Sequence, residues 1–261
     1  MTDESRRELL ASLATRLDEA ARTATPIRQL TDDDPDLTED EAIAIQALSI
    51  ERRLSRGERR VGVKMGLTSR AKMAQVGVHQ VLWGRLTDAM RREDGGEVAM
   101  SDFIHPRAEP EVAVLIARPL AGPVSPMEAL AACEAVAPAI EVIDSRYANF
   151  RFRLPDVVAD NASSSAFVLG PWSPPSADVA NLGIVVTVDG EAVQIGSSAA
   201  ILGHPLRSLA AAAQRVAAAG ERLEPGYIVM AGGATAATPL AAGTHVKADV
   251  ESLGAVSFTV R

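Results

Sequence analysis

Apolar positions in the first 60 residues recur at helical spacing. One amphipathic face in residues 4–23 is formed by Leu9, Leu10, Leu13, Leu17 and Ala20. The acidic, proline-containing segment TDDDPD interrupts this pattern and predicts a solvated turn. Thr38 and Glu41 then form a capping-box pattern ahead of the run AIAIQALSIERRL, which predicts a second helix. Together these helices predict a helical N-terminal cap over residues 1–59.

From Arg60 onward the apolar runs become short and strand-like. Strands are predicted at RVGVKMGLTS, EVAVLIA (111–117), AIEVIDSR (139–146), GIVVTVDGEAVQIG, YIVMAG, THVKADV and GAVSFTV. The dipeptide Asp189-Gly190 predicts a two-residue hairpin turn within the fourth of these segments. Helices are predicted at 69–78, 126–137 and 205–219.

The order of these elements lacks the regular strand–helix alternation of a doubly wound fold. It predicts an α+β fold whose residues 60–261 form one catalytic domain with a curved, mixed but mostly antiparallel sheet. The glycines of GGATAA have the wrong spacing for a phosphate loop, and no G-x-G-x-x-G follows a strand.

Composition narrows the classes of function. Hydrophobic residues make up 47% of the 261 residues, enough for a sizeable core, and the formal net charge is -8. An acidic chain has no long-range attraction for nucleic acid or for an anionic membrane. The single cysteine, Cys133, excludes an intrachain disulfide and is interpreted as a small core residue. With no signal peptide or apolar run long enough to span a bilayer, cytoplasmic localisation is predicted.

The sharpest chemical signal is the pair Glu109 and Glu111. Residues two apart on a strand project to the same face, so the two carboxylates lie side by side and favour a divalent cation between them. Glu141 adds a third carboxylate within an apolar strand, where a charged group is usually paired or bound to metal. The alternative is a pair of solvated acids on an exposed edge. Asp144 and Arg146 are interpreted as a structural pair.

Other polar positions leave two interpretations open. Lys64 either lies at the surface or reaches into a cleft and attracts a substrate carboxylate. The segment 160–165 is either a polar turn or a set of hydrogen-bond donors for a ligand. The four histidines lack zinc-site spacing, and no G-x-S-x-G motif indicates a serine hydrolase.

Several separate motifs, in order, resemble the fumarylacetoacetate hydrolase superfamily. They are GVKMGLTSRAKMAQVGV, WGRLTDAM, HPRAEPEVAVLI, IEVIDSRY, LPDVVADNASSSAFVLG and PGYIVMAGGATAA. The resemblance extends from about residue 38 to the C-terminus. It is strongest to the branch that holds 2-hydroxypenta-2,4-dienoate hydratases and 4-oxalocrotonate decarboxylases, and KMGLTSRAKMAQVGV favours the decarboxylases.

This resemblance implies a β-sheet roll behind a helical N-terminal region, and a site built from specific residues. The implied ligands of Mg²⁺ or Mn²⁺ are Glu109, Glu111 and Glu141. The implied catalytic residues are Lys64, Asp160 and Ser163. Asn161 and Ser164 are expected to bind substrate, and Leu67, Val81 and Trp83 are expected to form an apolar wall.

The implied reaction is metal-dependent decarboxylation of 2-oxohex-3-enedioate, a small 2-oxo dicarboxylic acid. The alternative is hydration of 2-hydroxypenta-2,4-dienoate, and the two differ in whether an apolar wall or a water-holding group faces the far end of the substrate. Hydrolysis of an acylpyruvate, with His105 as the nearby histidine, and a non-catalytic scaffold also remain open. A homo-oligomer and a complex with the partner hydratase are expected.

Overall fold

The N-terminal region consists of two long helices joined by residues 23–38, which include a short 3-10 helix at Leu30–Asp32. The structure is a computed structural model and describes residues 2–70, 73 and 80–261. Helix α1 covers Asp3–Arg22 and helix α2 covers Glu39–Ser55. The Thr38 hydroxyl caps α2 by accepting from the backbone N–H of Glu41, while the Glu41 carboxylate accepts from the Thr38 N–H, which confirms the capping box.

Two sheets form the rest of the molecule. The strands are β1 (Arg60–Gly66), β2 (Leu82–Thr87), β3 (Arg91–Arg92), β4 (Gly96–Val98), β5 (Arg107–Ile116), β6 (Cys133–Ile143), β7 (Ser164–Leu169), β8 (Gly183–Val188), β9 (Glu191–Ser197), β10 (Ile228–Met230), β11 (Thr238–Pro239), β12 (His245–Val250) and β13 (Gly254–Val260). The larger sheet has the order β2-β1-β10-β5-β6-β7-β3, with β11 paired to β5. The smaller has the order β4-β13-β12-β8-β9.

Most strand pairs in the described part of the chain are antiparallel. Parallel pairing occurs there only at β1–β10, β3–β7 and β4–β13. The predicted α+β fold with a mixed, mostly antiparallel sheet is therefore confirmed. The hairpin at Asp189-Gly190 is also confirmed, because both residues have the positive φ that its turn requires, 51° and 85°.

The larger sheet is covered by different layers on its two faces. One face packs against the smaller sheet, and Ile140, Val168, Val256 and Phe258 meet between them. The other face carries helix α5 (Pro205–Ala218), whose Leu209 packs with Val63, Val112 and Val114 among others. The other α-helices of the described residues are α1 and α2 of the N-terminal region and two short helices, α3 (Pro126–Ala131) and α4 (Leu154–Ala159).

The helix predicted at 126–137 is wrong over its second half. Helix α3 ends at Ala131, and Cys133 begins β6, which continues into residues 139–143 of the strand predicted at 139–146. The alanine-rich sequence favours a helix locally, but Pro138 cannot continue one, and pairing with β5 along ten residues overrides the local preference. Cys133 is nevertheless buried. The short helix predicted at 69–78 falls largely outside the described residues.

A search of the described helices for a long, apolar, weakly charged segment suited to crossing a membrane finds none.

Candidate active site

The three predicted carboxylates meet on one face of the larger sheet. Glu109 of β5 lies directly opposite Glu141 of β6, and Glu111 follows two residues along β5. One carboxylate oxygen from each residue lies within 4.8 Å of those of the other two. Strand periodicity places the pair on β5, and the antiparallel register brings in the third acid from a distant part of the chain.

Two of these carboxylates are buried with one oxygen atom each that has no partner among the described residues. Glu111 and Glu141 are 0% exposed, and the Oε1 atom of each has no hydrogen-bond partner among the described residues. Burial, and next the Glu141 carboxylate, raise the pKa of Glu111 well above its ordinary value of 4.5. A dication fits this cluster, because it would supply the missing partner for oxygen atoms that already converge.

A double glycine lets the backbone approach the carboxylates. The Gly232 N–H donates to Glu111 Oε2 at 2.7 Å, and this residue has a φ of +114°. A Cβ on Gly232 would lie 2.2 Å from Thr68 Oγ1, and a Cβ on Gly233 would lie 3.0 Å from the Glu109 carboxyl. The GGATAA segment therefore supports the carboxylate site, a role that sequence reasoning did not find.

Lys64 reaches this cluster from β1. Its Nζ donates to Glu141 Oε2 at 3.1 Å, and only 3% of the residue is exposed. Of the two interpretations left open by the sequence, the structure supports the lysine that faces a cleft. The ammonium group offsets part of the negative charge of the cluster and remains at the cavity surface, where it can contact a bound anion.

A cavity of about 410 Å³ opens beside Lys64 and Glu109. Its polar lining consists of Lys64, Thr68, Ser69, Glu109, Arg153 and Ser163. Its apolar lining consists of Leu67, Leu82, Ile143, Phe150, Phe152, Leu154, Val157 and Ala162. Ile143 follows Glu141 by two residues on β6, so the face of the strand that carries Glu141 also carries this apolar lining residue.

Of the three residues predicted to form an apolar wall, one lines the cavity. Leu67 lines the cavity as predicted, whereas Val81 and Trp83 pack in the core behind it. Leu82 lies between them and takes their place, because successive strand side chains face opposite sides. Trp83 stacks instead against the Arg85 guanidinium, which lies 4.4 Å from the ring centroid.

The segment after α4 is a left-handed turn that sends only part of its polar side chains into the cavity. Asn161, Ala162 and Ser163 have φ values of 51°, 50° and 59°. Ser163 lines the cavity, and its buried hydroxyl has no partner among the described residues. Three consecutive residues in this conformation store strain, and such strain is concentrated at functional sites.

Asp160, Asn161 and Ser164 do not line the cavity. Asp160 forms a buried ion pair with Arg146, and burial raises the pKa of its carboxyl to about 6. The Asn161 side chain accepts from the Arg85 N–H at 2.7 Å and donates to the Arg85 carbonyl at 2.9 Å. The left-handed turn points these side chains towards the protein interior, where they hold Ser163 in place.

The predicted pairing of Asp144 with Arg146 is wrong. Asp144 accepts from the backbone N–H groups of Ile104 and His105, each at 2.8 Å, and Arg146 pairs with Asp160. Asp144 and Arg146 therefore have different partners, which the spacing of the two residues in the sequence could not show.

An aromatic segment at the cavity wall was missed by the sequence interpretation. Phe150 and Phe152 line the cavity, and Phe150 has a φ of 56°. The Phe150 ring stacks on His105, with centroids 4.8 Å apart, and the Arg107 guanidinium lies 4.5 Å from its centroid. The signal was two phenylalanines in FRFRLP, in a chain with only 3% aromatic residues.

The sequence profile of the fumarylacetoacetate hydrolase C-terminal domain matches residues 63–261. The chain belongs to the fumarylacetoacetate hydrolase family. The matched segment contains the carboxylate cluster, Lys64 and the whole described lining of the cavity. The two N-terminal helices precede it.

Individual relatives of this family member align over almost their full length. A 4-oxalocrotonate decarboxylase from Pseudomonas sp. is 55% identical over 250 residues, covering 96% of this chain and 97% of the relative. A 2-hydroxyhexa-2,4-dienoate hydratase from Comamonas testosteroni is 35% identical, covering 97% and 98%. The solved 4-oxalocrotonate decarboxylase of Pseudomonas putida G7, complexed with magnesium and adipate, superimposes with a TM-score of 0.95 at 41% identity, covering 100% of this chain and 99% of the other.

Proposed function

We propose that this protein is a divalent-metal-dependent decarboxylase that converts 2-oxohex-3-enedioate (4-oxalocrotonate) to 2-hydroxypenta-2,4-dienoate and CO2. The observation that carries the proposal is the lining of the cavity, which combines Lys64 and Glu109 of the carboxylate cluster with a set of hydrocarbon side chains. The 55% identity with a decarboxylase over nearly the whole chain supports the same reaction.

The proposed metal ligands are Glu109, Glu111 and Glu141, and the proposed ion is Mg²⁺ or Mn²⁺. When bound, the dication supplies a Lewis acid for the negative charge that develops on the 2-oxo group. The unpaired oxygen atoms of Glu111 and Glu141 support this assignment, as does the magnesium complex of the similar Pseudomonas putida enzyme.

Lys64 and Ser163 are proposed to hold the 2-oxo acid end of the substrate. The Lys64 ammonium attracts the C1 carboxylate, and the unpartnered Ser163 hydroxyl donates to the same group. As the C5–C6 bond breaks, its electron pair moves through C3=C4 towards the C2 oxygen. Lys64 is then positioned to deliver the proton that completes the enol product.

The apolar lining is proposed to promote release of CO2. Ile143, Phe150 and Val157 offer no charged or hydrogen-bonding group to the C6 carboxylate. Removal of this carboxylate from water raises its free energy relative to neutral CO2, which favours cleavage. A hydratase would need a polar group that positions water at this end of the substrate.

Hydration of 2-hydroxypenta-2,4-dienoate is the second candidate, supported by the 35% identity with a hydratase. Thr68 and Ser69 are polar lining residues with which a water molecule could be positioned. The two reactions use the same carboxylate cluster and differ in their products.

The proposed setting is cytoplasmic breakdown of aromatic compounds by catechol meta-cleavage, with the chain as a homo-oligomer. The enol product tautomerises readily, which gives a reason for association with the hydratase that consumes it. Comparable decarboxylation rates with and without the hydratase, and no co-elution of the two proteins, would contradict this association.

The deciding experiment incubates the purified protein with 2-oxohex-3-enedioate and Mg²⁺ and measures CO2 release separately from water addition. The decarboxylase predicts stoichiometric CO2 and the dienol product. Water addition to 2-hydroxypenta-2,4-dienoate without CO2 release from the six-carbon acid would identify the hydratase instead.

A further inference from the structure

Helix α4 has one side in the cavity and another against the N-terminal region. Leu154 and Val157, three residues apart, lie on the cavity side. Asp156 lies between them in sequence but is turned away from that side, and it is 0% exposed. A helix of six residues is too short to be held by its own hydrogen bonds, so its position depends on the contacts around it.

The Asp156 carboxylate is fixed by three donors. The N–H of Thr31 donates to Oδ1 at 2.9 Å, and the Thr31 hydroxyl donates to Oδ2 at 2.7 Å. The third donor is the Arg153 N–H, at 2.8 Å from Oδ2. Thr31 is 2% exposed and belongs to the turn between α1 and α2. Hydrogen bonds to an ionised acceptor in a buried place are among the stronger ones in proteins.

A second buried side chain connects the same regions. Gln46 of α2 donates from Nε2 to the carbonyl of Val158, at 2.7 Å, and to that of Trp83, at 3.2 Å. These acceptors lie on α4 and β2, the two elements that carry Val157 and Leu82 into the cavity. The N-terminal region therefore contacts the back of the apolar wall at both elements.

Apolar packing connects the same two regions. Leu30 and Ile45 of the N-terminal region belong to one buried cluster with Leu82, Val157 and Ala162. The last three of these residues line the cavity. The family profile begins at residue 63, so this support comes from outside the matched segment.

We propose that Asp156 is a positioning residue that couples the N-terminal helical region to the substrate cavity through Thr31. The contact sets the position of α4 and hence the fit of the apolar wall to the distal half of the substrate. Loss of the Thr31 hydroxyl weakens substrate binding. The carboxylate cluster lies on β5 and β6 rather than on α4, so its metal affinity is unchanged. The substrate named here rests on the proposed function.

The test compares Thr31→Val, which removes only the hydroxyl donor, with Thr31→Ser, which restores it. Thr25→Val is the matched control, because it makes the same change at an exposed threonine. We expect Thr31→Val to raise the KM for 2-oxohex-3-enedioate about tenfold with a much smaller change in kcat. Thr31→Ser and Thr25→Val should behave as the wild type, and all should bind Mn²⁺ equally in calorimetry.

Hydrogen exchange gives a readout that does not depend on activity. Amides of residues 154–159 should exchange faster in Thr31→Val, whereas amides of β5 and β6 should be unchanged. If Thr31→Val does not fold, Asp156→Asn tests the same contact from its other side. Should the wild type fail to decarboxylate the substrate, the proposed function fails, and adipate affinity in the presence of Mg²⁺ replaces KM as the binding measure.

Three outcomes would overturn the coupling. The first is a KM or adipate affinity of Thr31→Val equal to that of Thr25→Val. The second is a loss in Thr31→Ser as large as in Thr31→Val. The third is faster exchange in α4 without any change in binding, which would make the contact structural only.

Discussion

At the residue scale, the site concentrates negative charge where water cannot reach it. Glu111 and Glu141 are fully buried beside each other, and the Lys64 ammonium group donates a hydrogen bond to Glu141. Burying an ionised carboxylate without a partner is costly, and the burial of two raises that cost. A dication bound by the cluster, as proposed above, would lower this cost.

Replacement of Glu111 by glutamine tests the metal site. The amide keeps the shape of the carboxylate but removes its charge. Mutation of a residue that only supports a metal ligand typically lowers metal affinity about 10–100-fold, so loss of a direct ligand should lower Mn²⁺ affinity by at least about a hundredfold. Decarboxylation should fall with it. Without metal, the variant should be at least as stable as the wild type, because the repulsion with Glu141 is relieved. Calorimetry and thermal unfolding measure both effects.

Glu134→Gln is the matched control for this substitution. Glu134 lies on the same strand as Glu141 but is exposed, so its variant should bind metal like the wild type. Equal metal affinity in Glu111→Gln and Glu134→Gln would reject the assignment of Glu111 as a ligand.

Lys64 is expected to contribute to turnover rather than to the fold. In Lys64→Ala, kcat should fall by at least about a hundredfold if the ammonium group acts in proton transfer. Lys247→Ala, at a half-exposed lysine paired with Asp249, should leave kcat unchanged. Steady-state kinetics with saturating Mg²⁺ provide the measurement, and a kcat within about threefold of the wild type would exclude an acid–base role.

At the scale of elements, strand pairing and its register determine where the carboxylates lie. Pairing of β5 with β6 over ten residues aligns Glu109 with Glu141, and a shift by one residue would send Glu141 to the other face. The β8–β9 hairpin belongs to the smaller sheet, far along the chain from these acids, and its turn depends on Gly190.

Gly190→Ala should therefore destabilise the protein without touching the site. Gly190 has a φ of 85°, and an added Cβ would meet nothing within 4 Å, so the cost comes from backbone conformation alone. A residue with a Cβ in this left-handed region of φ lowers the free energy of unfolding by roughly 1–2 kcal/mol. Urea unfolding measures the change. Gly183→Ala, on the adjoining strand without a positive φ, should have a much smaller effect, and equal losses would contradict the explanation.

At the scale of the whole molecule, the proposed metal site would link metal binding to folding. A cation that binds only the folded cluster stabilises the protein by about 2.7 kcal/mol at a hundred times its dissociation constant. For a chain of this size, this corresponds to a rise in Tm of roughly 5–10 °C. The net charge of -8 adds to the effect, because the dication also lowers the overall repulsion.

Chelation should reverse this stabilisation. The Tm of the wild type should fall on addition of EDTA and recover with excess Mn²⁺, whereas Glu111→Gln should show neither change. Decarboxylation should follow the same cycle. Full activity after exhaustive chelation, or an identical Tm with and without Mn²⁺, would contradict a metal-dependent enzyme.

The amino-acid sequence by itself determined the features that depend on local chemistry. The capping box at Thr38, the turn at Asp189-Gly190 and the shared face of Glu109 and Glu111 all follow from residue type and strand or helix period. Glu141 was recognisable as a charged residue within an apolar strand, and the motifs that resemble the family favoured the cleft for Lys64.

Only the tertiary structure decided which side chains meet across the chain. Local spacing could not show that Asp160 turns to Arg146, that Leu82 faces the cavity in place of Trp83, or that Phe150 joins the wall. It also predicted a helix through Cys133, where pairing with β5 produces a strand. Such outcomes depend on contacts between residues distant in sequence, and their energies exceed the local preferences that a sequence pattern records.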